Sequence, residues 1–566
     1  MQGSPQTVSD DDLPMRAASV VMDLPRLGCL YQYRLSFMRT LMRRVMGERW
    51  TIENREFELD SDGFGHAIYE VLAPGGTYSF VVFSHYLDSA QRSDRVIANA
   101  WDMTVSLVAG VVDDSRLQEL RKNVPRQEAG RLDASCIVLS RANKSSRNFD
   151  YVVSTLAAGE QPSARKMAKV GYLYRTTAVY GSGKFGMADW EKVRRSYTDF
   201  ARPFSAEMFT CYMIRQFSLD QADFLARTRS PDTAVGMSDA MKRYVGIGNA
   251  TGLGMAPYLV NHPLLITRWI EARETALARV LAHGQPTPGT IDRLLRLTER
   301  AIRHLGEIET GNTEQNGINQ RARVETGVLL EWLKSAGGTI HSWQEVADFT
   351  AKYSGIETQE LVNTLLIELH PELVEDLEDT LCVDERHELN PEMSVAELCR
   401  IIEIYYAWVL RIDYSRPGAR GVFWYRSEEK MEPRLGLVES DAGADREMTI
   451  CVASAVRACY DALQAERDRG DETVADFLVR NPGQRATVRR IQTMSRTRYG
   501  DIHANLKATD VLPIHLLRCK LSFFGVGKFD PRSRLWVRNT MFQGAPIVSD
   551  IGNTFDDDWC FPVMPD

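Results

Sequence analysis

Apolar positions recur at helical spacing in two long tracts of the chain and at strand spacing in a shorter one. Over 28–46, aromatic and aliphatic residues alternate with Arg in a 3.6-residue rhythm, which predicts an amphipathic helix. Residues 56–61, 65–72 and 77–86 are rich in Phe, Tyr and Val and read as strands. Ala73-Pro-Gly-Gly76 predicts a hairpin turn between the last two. Helices are predicted over 101–111 and 114–122, and 172–186 reads as extended, then turn-like. From 204 to 370 the rhythm is helical almost throughout, with helices predicted over 204–227, 235–245, 263–283, 288–306, 317–336, 341–353 and 358–369. Gly-Gln-Pro-Thr-Pro-Gly at 284–289 interrupts it as a helix break. A helix near 393–411, a strand over 421–427, helices near 447–468, 472–480 and 484–496, and an irregular stretch over 513–566 complete the pattern.

This pattern predicts an α+β protein, predominantly helical. Residues 1–24 form a flexible tail, 25–203 a first α+β lobe, 204–389 a helical domain and 390–566 a second α+β lobe. Colinear echoes connect the two lobes. Tyr180-Gly-Ser-Gly-Lys-Phe185 matches Phe524-Gly-Val-Gly-Lys-Phe529, Asp102-Met-Thr-Val matches Glu447-Met-Thr-Ile, and Val82-Phe-Ser84 resembles Trp424-Tyr-Arg426, all at a near-constant offset. The expectation is a duplicated lobe with a helical insert between the copies.

Composition narrows the class without naming a reaction. The 566 residues are 44% hydrophobic and 25% charged, which excludes a wholly disordered chain, a collagen-like chain and a small disulfide scaffold. A net charge of -8 argues against general affinity for nucleic acid. Of the 68 basic residues, 55 are Arg and 13 Lys. A GC-rich genome explains this plainly; guanidinium forks also suit planar anions. The 9 Cys are dispersed without a C-x-x-C pair, as expected of reduced, buried thiols in the cytoplasm. No stretch approaches 18 apolar residues, so no membrane span is expected.

Four segments carry candidate chemistry. Glycine-bordered lysines at Gly181-Ser-Gly-Lys184 and Gly525-Val-Gly-Lys528 offer backbone N–H groups and a point charge to an anion, or are tight turns. Four glycines over 246–254, followed by Asn261-His262, sit where backbone approaches a ligand or a second helix, and Asn249 and His262 are candidate ligand contacts. Phe423-Trp-Tyr-Arg426 and the following Arg434 form a dense Arg/Tyr region, with Arg426 and Arg434 as an anion clamp and Tyr425 as a proton donor, or an exposed hairpin. In Tyr499-Gly-Asp-Ile-His503, Tyr and His four apart share a face if helical and supply acid–base capacity near neutrality. The acidic run around His370 and Glu372 reads as a solvated helix, and no metal site is expected.

The resulting expectation is a cytoplasmic enzyme of lyase, isomerase or hydrolase type, handling a small carboxylate- or phosphate-bearing metabolite in an interdomain cleft. Tyr425, Tyr499 and His503 move protons; Arg426, Arg434, Lys184, Lys528, Asn249 and His262 bind substrate. The cofactor is unknown. The alternatives are a nucleic-acid-binding protein using Arg485, Arg489, Arg490, Arg496 and Arg498, or a non-catalytic scaffold oligomerising through its helical domain.

Overall fold

The computed structural model describes residues 10–88, 100–126, 133–145, 147–176, 193, 195–252, 263–336, 339–382, 388–415, 422–426, 434–436, 447–449, 452–466, 471–503, 513–532 and 536–566. Its frame is a nine-stranded sheet in the order β1-β2-β3-β4-β5-β6-β7-β12-β11. Strands β1 (Thr51–Leu59), β2 (Gly65–Ala73), β3 (Gly76–Ser84), β4 (Met103–Ala109), β5 (Cys136–Lys144) and β6 (Tyr172–Thr176) form an antiparallel series. The hairpin turn expected at 73–76 is present: Ala73 pairs with Gly76, which leaves Pro74-Gly75 as the turn residues. β7 (Gly246–Gly252) then joins parallel to β6. A separate three-stranded sheet holds β8 (Val422–Arg426) between β9 (Arg434–Gly436) and β10 (Glu447–Thr449). Finally β11 (Lys528–Pro531) and β12 (Trp536–Met541) return to the first sheet, with β12 against β7.

Period-two alternation decides which side chains go to which core. Ala67, Tyr69, Val71, Phe80, Val82, Val105 and Leu107 enter the main core. Ile68, Val81, Phe83 and Val108 enter a smaller one, closed by Leu117 and Leu120 of the helix Asp114–Asn123. Over the main core lie α1 (Phe37–Gly47) and the 25-residue α2 (Ser205–Arg229). On α2, buried Arg215 donates to the carbonyls of Lys242, Arg243, Val245, Ala545 and Pro546, tying the entry to β7 to the chain beyond β12. A bundle of α3 (Pro263–Ala282), α4 (Pro288–Glu307), α5 (Thr313–Ala336), α6 (Trp343–Tyr353) and α7 (Ile356–Leu369) shares its own core of Leu294, Leu333, Trp343, Leu361 and Leu365.

The α+β class with its helical bundle stands, but several elements differ from expectation. Residues 101–111 are not a helix: Met103-Thr-Val-Ser-Leu-Val-Ala alternates with period two and pairs with β3 and β5. The glycine segment at 246–252 is a strand between β6 and β12 rather than a helix connection. A Cβ on Gly248 would meet the Tyr172 ring at 2.6 Å, and one on Gly246 the Met541 carbonyl at 2.4 Å, so close strand packing accounts for these glycines. The stretch from 513 contains a helix, Pro513–Phe524, and two strands. Residues 10–24, expected in a flexible tail, are packed, with Val21 and Met22 buried.

Duplicated lobes are not confirmed. β3 sits between the preceding β2 and the following β4, whereas β8 sits between two strands that both follow it, and β11 and β12 belong to the first sheet. The motif at 180–185 lies outside the described residues.

Candidate functional site

Six of the arginines are engaged inside the protein. Beneath the N-terminal segment, Glu360 is fully buried against Arg16, Arg26 and Arg273. Glu274 beside it takes Arg16 and Arg273. One step along, Arg39 donates to both oxygens of Glu368 at 3.0 Å and reaches Asp557, which Arg34 and Arg43 also approach. Burial pushes the Glu360 carboxyl up, but Arg273 and Arg16 outweigh it and hold its pKa at about 2. These guanidiniums neutralise internal carboxylates across elements far apart in sequence.

The residues singled out by sequence occupy separate surroundings. Lys528 is buried and donates to the Ala168 carbonyl, while burial lowers its pKa to about 8. Asn249 donates to the Thr176 carbonyl at 2.8 Å. Lys528 is in register with Thr540 and Gly248, and Asn249 with Asn539, so the two lie on opposite faces of the sheet. Gly527, before Lys528, lines a cavity of about 30 Å³ with Tyr31, Glu357 and Arg518. That volume holds a water, not a metabolite. A Cβ on Gly527 would meet Gln32 Nε2 at 2.8 Å and the Cys560 carbonyl at 3.2 Å, so close packing accounts for the glycine.

Residues 495–503 follow the helix Arg485–Met494 as turns, with Gly500 at φ +68°, so Tyr499 and His503 share no helix face. Tyr499 donates to the Arg16 carbonyl at 3.2 Å, and burial raises its pKa. His503 stacks on Trp408 at 4.5 Å, and burial lowers its pKa to about 4. Asp501 between them takes Arg490 at 2.6 and 2.8 Å and the Tyr406 hydroxyl, which commits one of the arginines of the nucleic-acid alternative. Tyr425 pairs with Met448, Arg426 with Glu447 and Arg434 with Trp424 along the small sheet. Their side chains, together with Lys184 and His262, lie outside the described residues.

A different cavity, of about 390 Å³, opens where the α3–α4 turn meets the end of α7. The helix break expected at 284–289 forms one wall. Thr287 caps α4, its hydroxyl accepting from the Thr290 N–H, with Pro288 at the first helical position. Arg293, one turn on, reaches the cavity, donating to the Leu369 carbonyl at 3.4 Å and lying 3.9 Å from Asp558. The opposite wall is His370, the C-cap of α7, followed by Pro371 and Glu372. His283 sits one residue past α3.

His370 is 4% exposed, held between the His283 ring, with centroids 4.7 Å apart, and the Trp343 ring at 5.8 Å. Its Nδ1 lies 2.9 Å from Glu372 Oε1, and its Nε2 has no hydrogen-bond partner among the described residues. Burial lowers the His370 pKa against the opposing pull of Glu372. The neutral ring therefore donates Nδ1–H to Glu372 and keeps the Nε2 lone pair free. At the rim, Gln285 Nε2 lies 3.5 Å from His341 Nδ1.

Sequence reasoning weighed His370 and Glu372 and set them aside as a solvated acidic helix. The missing signal was His283, which lies at the end of another helix and is brought in only by bundle packing. No protein-family model matches the chain, and neither the curated proteins nor the solved structures give a match.

Proposed function

We propose that the chain is an enzyme acting on a small anionic metabolite, carboxylate- or phosphate-bearing, in the cavity between the α3–α4 turn and the end of α7. The observation that carries this reading is the meeting of Arg293, two imidazoles and a carboxylate in an open space of about 390 Å³, a volume within the range of small-ligand sites. Arg293 and the N-terminal end of α4 supply positive potential for the anion. Thr290 and Gln285 line the approach. His370, paired to Glu372, is the group placed to accept or pass a proton.

Calorimetric titration with inorganic phosphate and with citrate tests the reading. Saturable binding to the parent chain, weakened at least about tenfold in Arg293→Ala, is the expected result. Binding of neither anion, or equal binding by the variant, removes it.

A second reading, self-association through the helical region, has one observation behind it. Val324 and Val328 on α5 are exposed, as are Tyr353 and Ile356 at the α6–α7 turn, where Gly355 and Thr358 bond Glu325 of α5. Light scattering across a concentration series separates a monomer from a dimer.

A further inference from the structure

We infer that His283, His370 and Glu372 form a site for one divalent transition-metal ion of the zinc class. This deepens the cavity reading and rests on it for the anion that fills the ion's open position; with the ion bound, His370 serves as a ligand in place of its proton role, and the ligand set stands on its own geometry. One ligand atom from each of the three residues lies within 4.8 Å of the others. Bonds of about 2.0–2.1 Å in a tetrahedral arrangement need these atoms roughly 3.3 Å apart. His283 and Glu372 are exposed and His370 is buried, so on metal binding the two mobile side chains close onto the fixed one, Glu372 leaving His370 Nδ1 for an ion held at Nε2.

The buried Nε2 of His370 is the second, independent observation. A buried polar atom without a partner is costly, and this one belongs to a ring clamped between His283 and Trp343. Position adds a third. His283 follows the last residue of α3 and His370 caps α7, so both imidazoles lie where helix carbonyl ends concentrate partial negative charge.

Two nitrogens and one carboxylate oxygen suit zinc-class ions rather than the all-oxygen preference of calcium or magnesium. Three protein ligands leave a fourth position facing the cavity. Glu372 neutralises one of the ion's two charges, and the remaining positive charge acts with Arg293 on an anion.

Cobalt(II) serves as the probe, because tetrahedral coordination by nitrogen and oxygen gives visible d–d absorption. The untagged full-length chain, stripped with chelator, is titrated with cobalt(II) and checked by competition with zinc(II). One ion per chain, with a visible band that zinc(II) abolishes, is expected. His283→Ala and Glu372→Gln, both at exposed positions, should each weaken uptake by about 100-fold while leaving the metal-free melting temperature unchanged. Absence of a band, or uptake undiminished in both variants, overturns the inference. Phosphate titration with and without chelator keeps the two readings apart. Phosphate binding that depends on Arg293 while cobalt(II) fails to bind removes the metal and leaves the cavity reading. Cobalt(II) uptake lost in His283→Ala, with no phosphate binding in either state, supports the metal and removes the anion.

Discussion

Two ionisable clusters lie within the helical part of this molecule, and they are built on opposite terms. Around Glu360 and Glu368, Arg16, Arg26, Arg34, Arg39 and Arg273 face carboxylates of α3 and α7 at salt-bridge distance. Glu360, Arg39 and Arg273 have no exposed side-chain surface. Around His370 the groups are few and the space is open. Charge density alone does not separate a structural cluster from a ligand site. Internal neutralisation does: where each charge already meets its opposite, nothing remains for a ligand to recognise.

The comparison breaks most visibly at Glu360. Replacing it with Ala leaves Arg16, Arg26 and Arg273 facing one another with Glu274 alone between them. Removing one partner of a buried pair costs about 3–5 kcal/mol, because the remaining charge is stranded. Denaturant unfolding should show a loss of that size. A loss below about 1 kcal/mol would mean that water already reaches the cluster.

How much of this was legible follows from what each feature depends on. The Pro74-Gly75 hairpin, the bundle helices and the break at 284–289 are local, written in spacing and turn residues, and the structure reproduces them. β4 was misread because its apolar run also fits a helix, and only pairing to β3 and β5 decides. The glycines at 246 and 248 read as backbone approaching a ligand or a second helix but make room for Met541 and Tyr172 between strands, contacts set by strand order. The site was missed for the same reason. His283 and His370 lie just past the ends of helices that meet only in the folded bundle, and neither carries a local motif.

A second contrast sets His304 against His370. His304 is fully enclosed, with Nδ1 2.7 Å from the Pro562 carbonyl and Nε2 3.1 Å from that of Gly527. Burial lowers its pKa to about 4, the carbonyl contacts opposing and Lys528 and Arg300 assisting. Its value in the unfolded chain is about 6.5. The folded pKa is the lower one, so the contribution is complete above pH ~6.5 and is lost as pH falls toward 4. Across that window the loss is about 3 kcal/mol, a slope of about 1.4 kcal/mol per pH unit. Denaturation at stepped pH should show His304→Gln shallower than the parent chain by that slope. Equal slopes would place the proton uptake elsewhere.

The smallest expected change in stability is the sharpest test of the contrast. Arg293 is the cavity's guanidinium, with 30% of its side chain exposed, Asp558 no nearer than 3.9 Å and one long bond to the Leu369 carbonyl. A loosely paired, partly exposed Arg contributes at most about 0.5–1 kcal/mol. Arg293→Ala should therefore unfold within that margin of the parent chain while losing phosphate affinity at least about tenfold. Arg39→Ala should do the reverse, losing about 3–5 kcal/mol of stability and leaving phosphate affinity intact in the folded fraction. The same residue type then separates fold from ligand by the company it keeps. If Arg293→Ala instead unfolds as readily as Arg39→Ala, the Asp558 contact is structural, and the cavity belongs with the neutralised network rather than opposite it.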